Sequence, residues 1–171
     1  MTPATRRLRE LGIVFGEHAY ERSDDLRDFG REAADALGLD LDEVFKTLLI
    51  DVSGGVAVSG PRHDSETVVV VVPVSCSVSM KAVAAVVGAK RAAMCDPVRA
   101  ERLTGYVVGG ISPIGQRTAL PTIVDETIDL FDVVYVSGGR RGFDVSLAPA
   151  DLVAATDATV ADVAVSSVGP M

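Results

Sequence analysis

Apolar and polar positions alternate at period two along "FKTLLIDV", Phe45–Val52: Thr47, Leu49 and Asp51 fall on one side, Leu48, Ile50 and Val52 on the other. That alternation predicts a β-strand. Carried back one step, it sets Lys46 on the all-apolar side. Lysine is rarely buried without a partner, because aliphatic neighbours cannot replace the hydration its ammonium loses. Its position therefore calls for a reason.

The same patterning predicts the other elements. Thr2 caps a first helix with Pro3 at its first position, and Gly12 stops it. "IVFGEHAY" reads as a strand. "DDLRDFGREAADALGLDLDEVF" reads as a helix ending near Gly38, then a short helical turn capped by Asp40. "KTLLIDV" and "VAVSG" flank Ser53-Gly54-Gly55, a hairpin signal. "TVVVVVPV" is too apolar for a half-exposed strand and is expected at the centre of a sheet, covered on both faces. A helix "MKAVAAVVG" follows, capped near Ser77 or Ser79, and then "DPVRAERLTG", with Asp96 as cap, Pro97 at the first position and Gly105 as stop. "YVVGGI", "TIVDE", "DVVYVSG" and "FDVSL" are expected strands, and Pro149 opens a last helix. Strands arrive both as hairpins and after helices. The fold class is thus α/β (α+β), a mixed, partly closed or barrel-like sheet flanked by helices. No repeat or linker divides it, so residues 1–162 are expected as one domain and 163–171 as a frayed tail.

Composition narrows the function. A chain of 171 residues that is 48% apolar can bury a core without metal or disulfide. The net charge of −8 argues against free-standing, non-specific nucleic-acid binding and against DNA as a partner. "MTPATRRLRE" has no apolar stretch of a signal peptide. "VVVVVPV" is far shorter than the ~20 residues of a membrane helix. A cytoplasmic protein without membrane contact is the expectation. Cys76 and Cys95 form no CxxC and read as small packed thiols.

Most catalytic signatures are absent. "GISPIGQR" has the glycine spacing of a Walker loop, but Gln116-Arg117 stands where Lys-Ser/Thr is required. His18 and His63 are far apart and suggest neither a metal site nor a base for a nucleophilic serine. Three stretches stand out. "TGYVVGGISPIG" and "VSGGRRGFD" carry glycines suited either to turn geometry or to a backbone wall against a ligand. The third is Lys46, read either as a cation at a helix end paired to Asp42 or as a functional charge beside an apolar face.

Taken in order and spacing, "VFKTLLI", "TGYVVGGISPIGQ", "LPTIVDE" and "VYVSGGRRGFDVSLAPADL" resemble the YbaK family of aminoacyl-tRNA deacylases, which is homologous to the editing domain inserted in bacterial prolyl-tRNA synthetase. The likeness runs from "TPA" to about Asp162. It implies a cofactor-free, metal-free enzyme that hydrolyses cysteine mistakenly esterified to proline tRNA, a monomer working with prolyl-tRNA synthetase. By resemblance Lys46 is the catalytic residue. Tyr20, Phe29, Thr47, Gly109, Gly110, Ser137, Gly142 and Asp144 would form the substrate pocket. The family is thought to use the substrate's own thiol, which fits the absence of a protein nucleophile. Lys46 would stabilise the developing oxyanion or hold the terminal adenosine, with Asp144 orienting its ammonium. "SGPRHDSET" makes the loop before the valine run longer than the family pattern. The alanine-specific relatives carry a His-Pro pair where this chain has "GRRGFD". A deacylase for alanine or another small amino acid and a non-catalytic aminoacyl-adenosine binding module are the alternatives.

Overall fold

The computed structural model describes residues 1–22, 28–55 and 65–167. Helix α1 (Pro3–Glu10) begins at Thr2, whose hydroxyl accepts the Thr5 N–H while Thr5 reaches back to the Thr2 N–H. Strand β1 (Gly16–Ala19) follows, then α2 (Phe29–Leu37), closed by Gly38 in the left-handed region. Strands β2 (Phe45–Gly55) and β3 (Ser65–Pro73) lead to a short β4 (Cys76–Val78), α3 (Met80–Val87), β5 (Ala89–Met94) and α4 (Pro97–Thr104). Next come β6 (Thr122–Asp125), a 3₁₀ turn over Glu126–Leu130, β7 (Val134–Arg140) and β8 (Phe143–Leu147). Helix α5 (Pro149–Thr156), β9 (Thr159–Ala161) and β10 (Ala164–Ser166) complete the order. Asp96 caps α4 and Ser79 caps α3, as their sequences predict.

The main sheet has the order β5-β2-β3-β6-β9 and is mixed: β3 to β6 and β6 to β9 run parallel, the remaining pairs antiparallel. A second, antiparallel sheet has the order β1-β8-β7, and β10 pairs with β4. The sheets are open, not a closed barrel. Between the two larger sheets Phe45, Leu49, Val69, Val71 and Val124 meet Val136, Phe143, Val145 and Leu147, with Leu8 and Leu152 at the flanks. On the other face of the main sheet Ile50, Val52, Val68, Val70 and Val72 pack under Val83 of α3 and against Val163. Val68–Val72 are all at most 1% exposed, so both faces of β3 are covered and the run of valines has its cause. Each buried valine contributes about 1.5–3 kcal/mol of transfer free energy.

The architecture corrects several expectations. Gly54 and Gly55 do not turn a hairpin; β2 runs through them, and Gly55 opposes Ala89 of β5. A Cβ on Gly55 would lie 2.0 Å from the Gly88 carbonyl oxygen, so the glycine permits close strand approach. The expected strand "VAVSG", the long loop and His63 lie outside the described residues. "YVVGGI" is a loop: Gly110 N–H donates to the Val107 carbonyl in a tight turn, and Gly109 has φ +89°. Leu41–Glu43 form a turn instead of helix. Strand β1 keeps only Gly16–Ala19 of "IVFGEHAY". Residues 163–166 are not frayed. The buried Asp125 carboxylate accepts the Val163 and Ala164 N–H groups at 3.0 and 2.9 Å, and Val163 is wholly buried. No helix among the described residues is long and apolar enough to cross a membrane.

Candidate functional site

Strand β2 pairs with β3 along Phe45–Ser53 but with β5 only from Ile50 onward. The last link on the β5 side is Cys95 N–H to the Leu49 carbonyl, 3.0 Å. Between that point and Val44, which bridges Tyr135 of β7, the edge is open, because "CDP" turns the chain away from the sheet into α4. By the two-residue alternation of strand hydrogen bonding, the Thr47 N–H and C=O point the same way as those of Leu49, toward the opening. A cavity of about 650 Å³ fills it, lined by β2 from Phe45 to Leu49, by α2, by the start of α4 and by the loop around Val108–Ile111. Because the cavity sits at a strand edge, side chains from both faces of β2 reach it.

Seven of the nine residues expected at the pocket line this cavity: Tyr20, Phe29, Lys46, Thr47, Gly109, Ser137 and Asp144. They come from six separate segments. Gly110 and Gly142 do not line it. A Cβ on Gly110 would come 2.8 Å from the backbone of Arg140 and Arg141, and Gly142, at φ +75°, lies against the Tyr20 carbonyl. Gly109 lines the cavity, but the space of its missing Cβ is filled by the Phe29 ring, 2.7 Å from that position. These glycines let the protein pack on itself. The sequence reading did not single out Cys95, Met94, Pro97, Ala100, Ala33, Val44 and Ile111 as walls; they are apolar, and no local pattern marks them.

Lys46 is partly buried within β2, opposite Val72, and makes no ion pair among the described residues. The helix-end reading therefore fails: Asp42 lies in a turn and accepts a hydrogen bond from the Ser75 hydroxyl. No salt bridge joins Lys46 to Asp144, so Asp144 does not orient the ammonium by direct contact. The Thr47 hydroxyl is buried with no hydrogen-bond partner among the described residues, a donor left for a ligand. Asp144 projects from β8 opposite His18 and Ser137. It is 5% exposed, and burial pushes its carboxyl up to about 7. Burial first, then the nearby Asp144 and Glu32 charges, raise the Tyr20 hydroxyl well above its ordinary range. Burial likewise raises the Cys95 thiol, whose Sγ donates to the Asp96 carbonyl. Among the described residues no three His, Cys, Asp or Glu side chains gather into a metal site. What the cavity offers is a cation, a free hydroxyl, an open backbone edge and a carboxyl poised near neutrality, within apolar walls.

Comparison with known proteins gives this arrangement its context. The model of the aminoacyl-tRNA editing domain matches residues 25–155. The chain belongs to the aminoacyl-tRNA editing domain family. As a member it is an aminoacyl-tRNA deacylase, an enzyme that removes amino acids from tRNA, and aminoacyl-tRNA is its substrate class. A protein of Enterococcus faecalis, provisionally named Cys-tRNA(Pro)/Cys-tRNA(Cys) deacylase EbsC, is 30% identical over 162 residues, 95% of this chain and 92% of that one. The fold is similar to the crystal structure of hypothetical protein APE2540, with TM-score 0.80 and 24% identity over 95% of this chain and 99% of that one. It is also similar to a structure provisionally described as a trans-editing enzyme for prolyl-tRNA synthetase, with TM-score 0.75 and 24% identity over 96% and 99%. The family match spans all seven cavity residues except Tyr20, which lies just ahead of it.

Proposed function

We propose that this deacylase acts in trans on Cys-tRNA(Pro), and that the substrate's own thiol is the nucleophile in the cavity around Lys46. The observation that supports this most is the open edge of β2, where the Lys46 ammonium and the Thr47 hydroxyl, both without a partner among the described residues, line one cavity. The name of the Enterococcus faecalis relative supports the cysteinyl substrate.

The proposed reaction runs as follows. The cysteinyl thiolate attacks its own ester carbonyl, the ester C–O bond breaks, and the tRNA 3′-terminal oxygen leaves and takes up a proton. A strained thiolactone is released and then opened by water. Negative charge gathers on the carbonyl oxygen during attack, and a fixed cation with N–H and O–H donors in a partly dry site lowers that barrier. Lys46 supplies the cation, while Thr47 supplies the donors. Asp144 binds the substrate's α-ammonium, which offsets the cost of a buried carboxylate. Tyr20, Phe29, Gly109 and Ser137 shape the cavity and hold the side chain folded toward its own carbonyl. Cys95 is a poor rival nucleophile, since burial keeps its thiol protonated. At a net charge of −8 general attraction for tRNA is weak, so association of the monomer with prolyl-tRNA synthetase selects proline tRNA.

A panel of charged tRNAs tests this reading. Cysteinyl ester should be cleaved, at a rate rising toward the substrate thiol's pKa of about 8.5, while alanyl ester survives. A pocket that admits cysteine cannot exclude the smaller alanine by size. Comparable cleavage of both esters would make protein-activated water the attacker. Cys95→Ser should keep its activity, and loss of turnover with the fold intact would count against the substrate's thiol as nucleophile.

A further inference from the structure

Where Phe29 closes over Gly109, two guanidinium groups meet one ring. The Arg22 guanidinium carbon lies 4.6 Å from the Phe29 centroid and that of Arg141 lies 5.2 Å from it. Arg141 Nε donates to the Val108 carbonyl at 2.8 Å, and the stem of Arg22 passes beside Gly142, 3.5 Å from where a Cβ would stand. Phe29, Val108 and Gly109 all line the cavity, so both arginines are anchored to its rim without entering it. Stacking on an aromatic face holds a planar guanidinium in a fixed orientation and leaves its outer N–H fork for a ligand.

Three acidic groups near this rim are engaged among the described residues. Glu32, 5% exposed, sits 3.5 Å from Arg22; Asp28 pairs with Arg31 at 3.5 Å and accepts its N–H; Glu101 accepts the Val108 N–H at 2.9 Å. Arg141 is exposed and makes no ion pair among the described residues. Its charge is available.

We propose that Arg141, assisted by Arg22, is a positioning residue that grips the phosphodiester behind the terminal nucleotide while the aminoacyl ester lies inside the cavity. This rests on the deacylase reading of that cavity. The physical case is one of charge placement. A chain of net charge −8 repels tRNA at a distance, so a local fork must hold the polyanion where the ester enters. Guanidinium matches a phosphate with two parallel N–H donors, which fixes direction as well as distance. With the phosphate pinned at the rim, the ester has only one way into the apolar cavity.

Two substrates separate the clamp from the chemistry: intact mischarged cysteinyl-tRNA, and the cysteinyl ester of adenosine, which has no phosphate. On the tRNA, Arg141→Ala should lower kcat/KM about 10-fold or more, mainly through KM, as expected for loss of a hydrogen-bonded charge contact. The slope of log kcat/KM against log salt should flatten by about 0.7 for one phosphate lost from single-stranded contact. On the adenosine ester the loss should shrink to under about twofold, and Arg141→Lys should recover part of the tRNA loss. Arg22→Gln should shift KM the same way, with thermal melting run alongside because Arg22 also partners Glu32. Equal losses on both substrates, or an unchanged salt slope, would overturn the clamp. Wild-type cleavage of both substrates with Arg141→Ala indistinguishable on tRNA would do so too, leaving the deacylase reading intact. Wild-type failure on both would remove that reading and the clamp with it.

Discussion

The two halves of β2 share one backbone and lead different lives. From Ile50 to Ser53 the strand has β3 on one edge and β5 on the other, and Ile50 and Val52 vanish into the core under α3. From Phe45 to Leu48 it keeps β3 but has no β5 partner, and the freed edge faces a cavity. Where both edges are paired, every polar backbone group is satisfied and the side chains contribute stability. Where one edge is withheld, N–H and C=O groups stay available, a lysine is tolerated and a threonine hydroxyl waits unpartnered. The candidate site lies where the sheet is interrupted, at a small cost in pairing.

The sharpest way to test that contrast is one substitution in each half. Lys46→Ala should reduce turnover on the cognate ester by on the order of 10²-fold or more while the melting temperature hardly moves. Lys46→Arg should also be poor, because a planar fork does not replace a compact point charge. Ile50→Ala, four residues away and wholly buried, should do the reverse: about 2–5 kcal/mol of stability lost by denaturant titration, with kcat kept well below the melting point. If both variants lose stability and activity together, the two halves are not separable.

A second comparison concerns pH. Asp144 is buried with its carboxyl raised to about 7, so the folded state holds a proton that the unfolded chain has released above roughly pH 4. Its contribution is therefore favourable at low pH and is lost as pH rises through 7. Asp144→Asn, which cannot ionise, should be more stable than wild type at pH 8, by on the order of 2–4 kcal/mol, and nearly equal to it at pH 4. Activity should fall if Asp144 holds the α-ammonium as proposed. A pH-independent stability difference would place the ionisation elsewhere.

The smallest effect is expected at Thr47. Its hydroxyl is buried without a partner among the described residues, and valine has the same shape. Thr47→Val should leave stability unchanged or raise it by about 1 kcal/mol, because an unsatisfied polar group is removed. Turnover should nevertheless drop several-fold. Stability lost with activity kept would mean that the hydroxyl serves the fold.

Much of this was legible along the chain. Caps and stops wrote α1, α3 and α4 into the sequence, since Thr2, Ser79, Asp96 and the glycines at 88 and 105 act through contacts within a few residues. The valine run announced a strand covered on both faces, because only water-free surroundings on both sides favour five consecutive valines. The misfit of Lys46 pointed to a residue that lines the candidate cavity for the same reason: a charge among aliphatic neighbours is a cost that local pattern makes visible. Tertiary structure alone decided the rest. The glycines at 54 and 55 looked like a turn, and only the approach of β5 made them strand. The tail looked loose, and only the remote Asp125 carboxylate gave its N–H groups a partner. "YVVGGI" had the composition of a strand but found no edge to pair with. Strand pairing, cavity walls and the Arg22–Phe29–Arg141 rim all join residues far apart in sequence, and their energies belong to contacts that no local window contains.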